Sequence, residues 1–214
     1  MLPDEIRYVA VDGVIGAGKT ELARGIAERF EAALVLEDLR ENPFLERFYE
    51  EPDRWAFQAQ LSFLASRFQQ QKALRARDLF HDAVVTDYTF DKDRIFAHVN
   101  LENDELQLYE TLYTSMEEGV PRPDLVVYLQ ASVDRLMEQI EERARGHDES
   151  IERPYLEELN EAYNQYFFTY TKSPLLIVNA ERLGLDGEGG DGLDRLFRVM
   201  ASGDFSGTTY VHPG

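Results

Sequence analysis

The 214 residues include no cysteine, which rules out disulfides and thiolate metal sites. Positive charge is scarce: 22 Lys and Arg stand against 41 Asp and Glu, giving a formal net charge of −19. So acidic a chain repels phosphate backbones, which argues against a nucleic-acid partner. No apolar run reaches about 18 residues, so neither a membrane-spanning helix nor a membrane partner is expected. The sequence opens without a basic stretch leading into an apolar one, so no secretory leader is expected and the expected compartment, by exclusion, is the cytoplasm. The four histidines (His81, His98, His147 and His212) lack metal-ligand spacing. No internal repeat is present. The length predicts a single domain over residues 1–201, with a flexible tail over 202–214.

In this acidic chain one segment is built to hold a polyphosphate. Gly13-Val14-Ile15-Gly16-Ala17-Gly18-Lys19-Thr20 is a complete G-x-x-x-x-G-K-[ST] loop. Its glycines let backbone N–H groups approach an anion closely. Lys19 can reach the β- and γ-phosphates, and the Thr20 hydroxyl can bind Mg²⁺. The flanks agree: Tyr8–Val11 is a short apolar run, and Glu21–Phe30 spaces its apolar residues at helical period. A helix after the loop points its positive dipole end at the same anion.

Four further apolar runs read as buried strands: Ala33–Leu36, Ala83–Thr86, Leu125–Leu129 and Leu175–Val178. Helical patterns separate them. Arg54 to about Phe80 lacks Gly and Pro, and Glu102–Glu118 stops at Gly119 and Pro121. Ser132 can cap a helix running to Arg145, and Pro154 can open another to Thr171. A short helix over Leu193–Met200 follows the Gly-rich stretch 184–192. Strand–helix alternation of this kind predicts an α/β fold: a five-stranded parallel sheet flanked by helices on both faces.

Two of the strands end in acid. Asp87 follows Ala83–Thr86, at the carboxyl edge where open parallel sheets bind ligands, and can share Mg²⁺ with Thr20; the bland alternative is a capping Asp. Glu37 follows Ala33–Leu36 and can take a proton from an acceptor hydroxyl, or else is a solvated loop acid. Arg143 and Arg145 end a helix on a segment able to close over phosphates; mixed charge there is also what an ordinary exposed helix face carries. Trp55-Ala56-Phe57-Gln58-Ala59-Gln60-Leu61-Ser62-Phe63 interleaves aromatics with amides, a composition that serves either base recognition or a core.

In this order the motifs resemble the deoxynucleoside kinase family of P-loop kinases, especially its bacterial members, over about residues 5–180. Tyr49-Glu50-Glu51-Pro52-Asp53-Arg54-Trp55 is similar to the family's Tyr-x-x-Pro-x-x-Trp segment. The resemblance implies the general base at Glu37, Tyr49 at the sugar 3′-hydroxyl, Gln60 (or Gln58, one register away) at the nucleobase edge, and Arg67 with Asp93 beside the base. It places Arg143-Ala144-Arg145 in a short arginine-bearing lid, with Asp148, or Glu149 beside it, at the 3′-hydroxyl. Phe63 would set pocket depth. The chain departs from the pattern twice: Tyr88 stands where the family has an arginine after the strand-three acid, and Gln139 where it has a lid arginine.

The resemblance therefore implies ATP-dependent phosphorylation of a deoxynucleoside 5′-hydroxyl with Mg²⁺, a role in nucleotide salvage, and a homodimer. A carboxylate at position 93 accepts from an exocyclic amine, which favours deoxyadenosine, deoxyguanosine or deoxycytidine over thymidine. Three alternatives remain at this level. A nucleoside monophosphate kinase of the same fold needs basic residues around its acceptor. A GTPase-like switch would carry Asn-Lys-x-Asp where Asn179-Ala180-Glu181-Arg182 stands. A nucleotide sensor with weakened catalysis is the reading that Tyr88 keeps open.

Overall fold

The computed structural model describes residues 1–37, 42–74, 82–143, 151–183, 192–203 and 205–211, with Arg143 described by its backbone. Five strands lie where the apolar runs place them: β1 (Tyr8–Gly13), β2 (Ala33–Val35), β3 (Val84–Thr86), β4 (Leu125–Gln130) and β5 (Leu175–Asn179). The sheet has six strands, not five. Thr208–Val211, inside the stretch expected to be a flexible tail, forms β6 and pairs parallel with β5. This strand escapes a sequence search because it is a short edge strand with one buried residue, Val211, and no apolar run.

The strand order is β2-β3-β1-β4-β5-β6, with every pairing parallel. Alternate residues of β1 serve different cores: Val9 and Val11 join the large cluster, while Tyr8 and Ala10 join a smaller one, so both faces of the sheet are covered. That burial is why β1, β4 and β5 read as continuous apolar runs.

Eight helices are described: α1 (Lys19–Phe30), α2 (Leu45–Glu50), α3 (Pro52–Leu74), α4 (Asp91–Asn100), α5 (Asn103–Glu117), α6 (Val133–Arg143), α7 (Arg153–Phe168) and α8 (Gly192–Ser202). The Ser132 Oγ accepts the Arg135 amide at 3.3 Å, the N-cap that the sequence implies for α6. Among the described residues no helix is long and apolar enough to cross a membrane.

Two consequences of the topology position the site. β1 leads across β3 to β2 on one side, while β4 pairs on its other side, so the chain reverses its winding at β1. The register then aligns three strand ends, because Thr86 pairs with both Ala10 and Val35. The phosphate loop, Asp87 and Glu37 therefore leave the sheet at one carboxyl edge.

Candidate active site

The loop between β1 and α1 is shaped by glycine. Gly16 has φ 85°, and a Cβ there would lie 2.8 Å from the Leu136 carbonyl oxygen. Gly18 caps α1 in the left-handed region with φ 91°. Lys19 is half-buried, and its ammonium donates to the Val14 carbonyl at 2.9 Å. Burial first, and then the nearby charge of Lys92, push the Lys19 ammonium down to about 8. The Thr20 hydroxyl donates to Asp87 Oδ2 at 2.6 Å. A hydroxyl and a carboxylate are hard oxygen donors suited to Mg²⁺, which is commonly held by one or two protein groups together with substrate phosphates. Among the described residues there is no cluster of three or more His, Cys, Asp or Glu that could hold a metal ion.

The other Asp87 oxygen, Oδ1, accepts the backbone amide of Glu37 at 2.8 Å. The Glu37 side chain turns inward to two cations. Lys92 Nζ donates to its Oε2 at 2.5 Å, Arg67 Nε donates to its Oε1 at 3.0 Å, and Arg67 Nη2 contacts the same oxygen. Burial alone would raise the Glu37 carboxyl. The Arg67 and Lys92 charges outweigh it and hold the group well below the usual carboxylate range. Glu37 is thus no solvated loop acid: its side chain is 11% exposed.

Arg67 also pairs with Asp93, which is fully buried. It therefore bridges Glu37 to Asp93; the Asp93 pairing matches the expected Arg–Asp pair, and the Glu37 contact is an addition to it. The guanidinium lies 5.0 Å from the centre of the Phe63 ring. Along α3 the buried positions include Gln60, Leu64, Arg67 and Gln71, one stripe at helical spacing. Three polar residues on a buried stripe are unusual for a core helix; Gln71 is paired with the Tyr8 hydroxyl at 2.9 Å and Arg67 with carboxylates. The Gln60 Oε1 has no hydrogen-bond partner among the described residues, and neither Asp93 oxygen has one apart from the ion pair. Of the two candidate amides Gln60 is buried and Gln58 exposed.

Tyr49 sits half-buried on α2, with its ring 5.3 Å from that of Phe48. Tyr88 is fully buried, donates its hydroxyl to Gln70 Oε1 at 2.7 Å, and lies 5.9 Å from the Arg67 guanidinium. Arg145, Asp148 and Glu149 lie outside the described residues, as does the side chain of Arg143.

Two participants were missed in the sequence. Lys92 is one, and the signal was Asp91-Lys92-Asp93, three successive charged residues that are all buried. Asp12 is the other: fully buried at the end of β1, it accepts the Gly13 amide at 2.8 Å and the Thr89 hydroxyl at 2.5 Å. Burial raises its carboxyl; the Lys92 charge and the Thr89 hydrogen bond oppose that rise.

Residues 9–191 match the deoxynucleoside kinase family. The chain is 34% identical over 157 residues to the deoxyguanosine kinase of Bacillus subtilis, covering 73% of this chain and 76% of that protein. It is 31% identical over 182 residues to the deoxyadenosine/deoxycytidine kinase of the same organism, covering 81% and 82% respectively. The solved structure of deoxyadenosine kinase from M. mycoides, with products dCMP and a flexible dCDP bound, superposes with a TM-score of 0.80 at 24% identity. That superposition covers 91% of this chain and 99% of the other, and supports the fold.

Proposed function

Because the chain belongs to the deoxynucleoside kinase family and is an enzyme that phosphorylates nucleosides, we propose that it transfers the γ-phosphoryl group of ATP to the 5′-hydroxyl of an amine-bearing deoxynucleoside, as a step of nucleotide salvage in the cytoplasm. The observation that supports this reading is the chain of contacts Thr20–Asp87–Glu37, in which Asp87 accepts the Thr20 hydroxyl and the Glu37 backbone amide, so that the residue bearing the carboxylate lies at the same sheet edge as the phosphate loop. A phosphate acceptor would need no base, and the two cations beside Glu37, Arg67 and Lys92, are both paired with it rather than free for an acceptor phosphate.

In this reading Gly13–Thr20 cradle the triphosphate, and Lys19 lies along its β- and γ-phosphates. Thr20 and Asp87 would hold Mg²⁺, which supplies charge neutralisation on the phosphate oxygens when bound. Glu37 accepts the 5′-hydroxyl proton. Arg143 and Arg145 close over the transferring group from the lid. Gln60, Arg67 and Asp93 face the base, while Tyr49 and Asp148 take the sugar 3′-hydroxyl. Positioning and charge stabilisation supply most of the rate, since the transition state is largely dissociative.

The buried acceptors Gln60 Oε1 and Asp93 support an amine-bearing base, because such a base supplies the N–H donors they lack. A homodimer belongs to the same reading, as the family resemblance implies. The deciding assay offers MgATP with each of the four deoxynucleosides and, in parallel, their 5′-monophosphates. Turnover of deoxyadenosine, deoxyguanosine or deoxycytidine is expected. Turnover confined to the monophosphates overturns the reading in favour of the monophosphate kinase.

A further inference from the structure

Lys92 has a partner that a simple reading of the site does not explain. Its ammonium is buried, and 2.5 Å away it meets the carboxylate that must receive a proton. The Phe96 ring lies 5.7 Å from Nζ, and the Lys92 charge also acts on the buried Asp12 carboxylate. A cation seated on a base weakens that base, and Arg67 already pairs with Glu37. A second buried cation in this place calls for another task. Through Glu37, whose amide is held by the same Asp87 that accepts the Thr20 hydroxyl, Lys92 is tied to the sheet edge that carries the phosphate loop. Position 88, next to Asp87, holds a buried tyrosine whose hydroxyl is committed to Gln70 and which carries no positive charge.

We propose that Lys92 is the charge-transfer partner of Glu37: a fixed cation that pairs with the base before reaction and turns to the transferring phosphoryl group during it. This inference rests on the kinase reading above. As the 5′-oxygen attacks phosphorus, its proton passes to Glu37 and a new O–P bond forms. The bond from phosphorus to the β,γ-bridging oxygen breaks, and its electron pair leaves with ADP. Protonation neutralises Glu37 at the moment negative charge grows at the phosphoryl oxygens. Lys92, still protonated, then finds its better partner there. Arg67 stays in place, held by Asp93.

The test compares Lys92→Gln, Lys92→Arg and the double variant Tyr88→Arg/Lys92→Met with the wild type. Removing the charge in Lys92→Gln is expected to lower kcat by about 10²–10³-fold while the KM for the deoxynucleoside changes less than about threefold. Lys92→Arg is expected to recover most of that loss, and the double variant part of it, by returning a cation from position 88. Affinity gives a readout independent of turnover: Lys92→Gln is expected to bind the product 5′-monophosphate about tenfold more weakly and the nucleoside unchanged. Should Lys92→Gln not fold, Lys92→Met is read the same way. A neutral variant that keeps its kcat and its monophosphate affinity overturns the role of Lys92. A wild type inactive on every deoxynucleoside overturns the kinase reading instead, and the two failures are distinct.

Discussion

The Thr20 hydroxyl and the Asp87 carboxylate meet at 2.6 Å across the carboxyl edge of the sheet, although 67 residues separate them in the chain. The register of β1 against β3 sets that distance. If the pair holds Mg²⁺, Asp87→Asn weakens the metal with little disturbance of the edge, because the amide oxygen still accepts from the Glu37 amide while the new NH2 donates to the Thr20 hydroxyl, which can turn to accept it. A Mg²⁺ titration at saturating ATP is expected to show the half-activating concentration rising about tenfold or more. An unchanged titration curve would remove Asp87 from the metal site.

Glu37 carries two separable predictions. Glu37→Gln is expected to lower kcat by about 10²–10⁴-fold, the usual contribution of a positioned base, with ATP affinity retained. Glu37→Ala also strips the counter-charge from Lys92 and one of the two from Arg67. Uncompensated buried charge of this kind costs about 3–5 kcal/mol, visible in thermal or urea unfolding. The sign with pH follows from the depressed carboxyl. The folded state keeps Glu37 ionised below its unfolded pKa, so this stabilisation is fully present above the usual carboxylate range and fades as pH falls below it. Near-normal turnover in either variant contradicts the assignment of the base.

Asp93 and Gln60 bear on specificity. Asp93→Asn keeps the shape but replaces one acceptor oxygen by a donor facing the amine of the base. The expected result is a fall in kcat/KM for deoxyadenosine and deoxycytidine by about 10–100-fold, from an unpaired or clashing buried polar group, and a smaller fall for thymidine. Equal losses on all four deoxynucleosides would instead mark Asp93 as a support for Arg67 alone.

The order of the motifs carries much of this architecture in one dimension. A buried parallel strand must be apolar on both faces, so β1, β4 and β5 announce themselves, and the acids that end β2 and β3 are read as edge residues for the same reason. Side-chain partners across the site do not announce themselves. The resemblance pairs Asp93 with Arg67, but nothing in Asp91-Lys92-Asp93 says that Asp91 turns to Tyr113 and Lys172 or Lys92 to Glu37. Those directions depend on how α4 packs on α3 and α7, which is tertiary information. Arg67 shows the same limit: the motif places it beside the base, and packing adds Glu37 as its second partner.

Lys19 gives a prediction in the alkaline range. Its ammonium is lowered from 10.5 to about 8, by burial and then by Lys92. Between those values the native protein binds fewer protons than the unfolded chain, so this group makes stability rise with pH across the window. A polyphosphate beside Lys19 favours the charged form and raises the pKa again. ATP binding at about pH 8.5 is therefore expected to take up protons, and affinity to decline as pH rises further. Calorimetry in buffers of different ionisation enthalpy measures the uptake directly, as the slope of observed against buffer enthalpy, and a zero slope there would refute it.

The sixth strand is testable by removal. β6 pairs with β5 from Leu175↔Thr208 to Val178↔Val211, and the Leu175 amide donates to the Gly207 carbonyl at 2.8 Å. Val211 is 5% exposed within the main core. Ending the chain after Gly207 exposes the β5 edge and uncovers the core beneath Val211. Losing one buried valine alone costs about 1.5–3 kcal/mol. For a chain of this size that corresponds to a fall in melting temperature of roughly 3–12 °C. None of the proposed catalytic or binding residues lies on β6, so kcat measured well below the transition is expected to stay near the wild-type value. A truncated protein that melts with the full-length chain would show that β6 contributes nothing to the sheet, and one that loses kcat while still folded would place part of the active site's support at the opposite end of the strand order from β2.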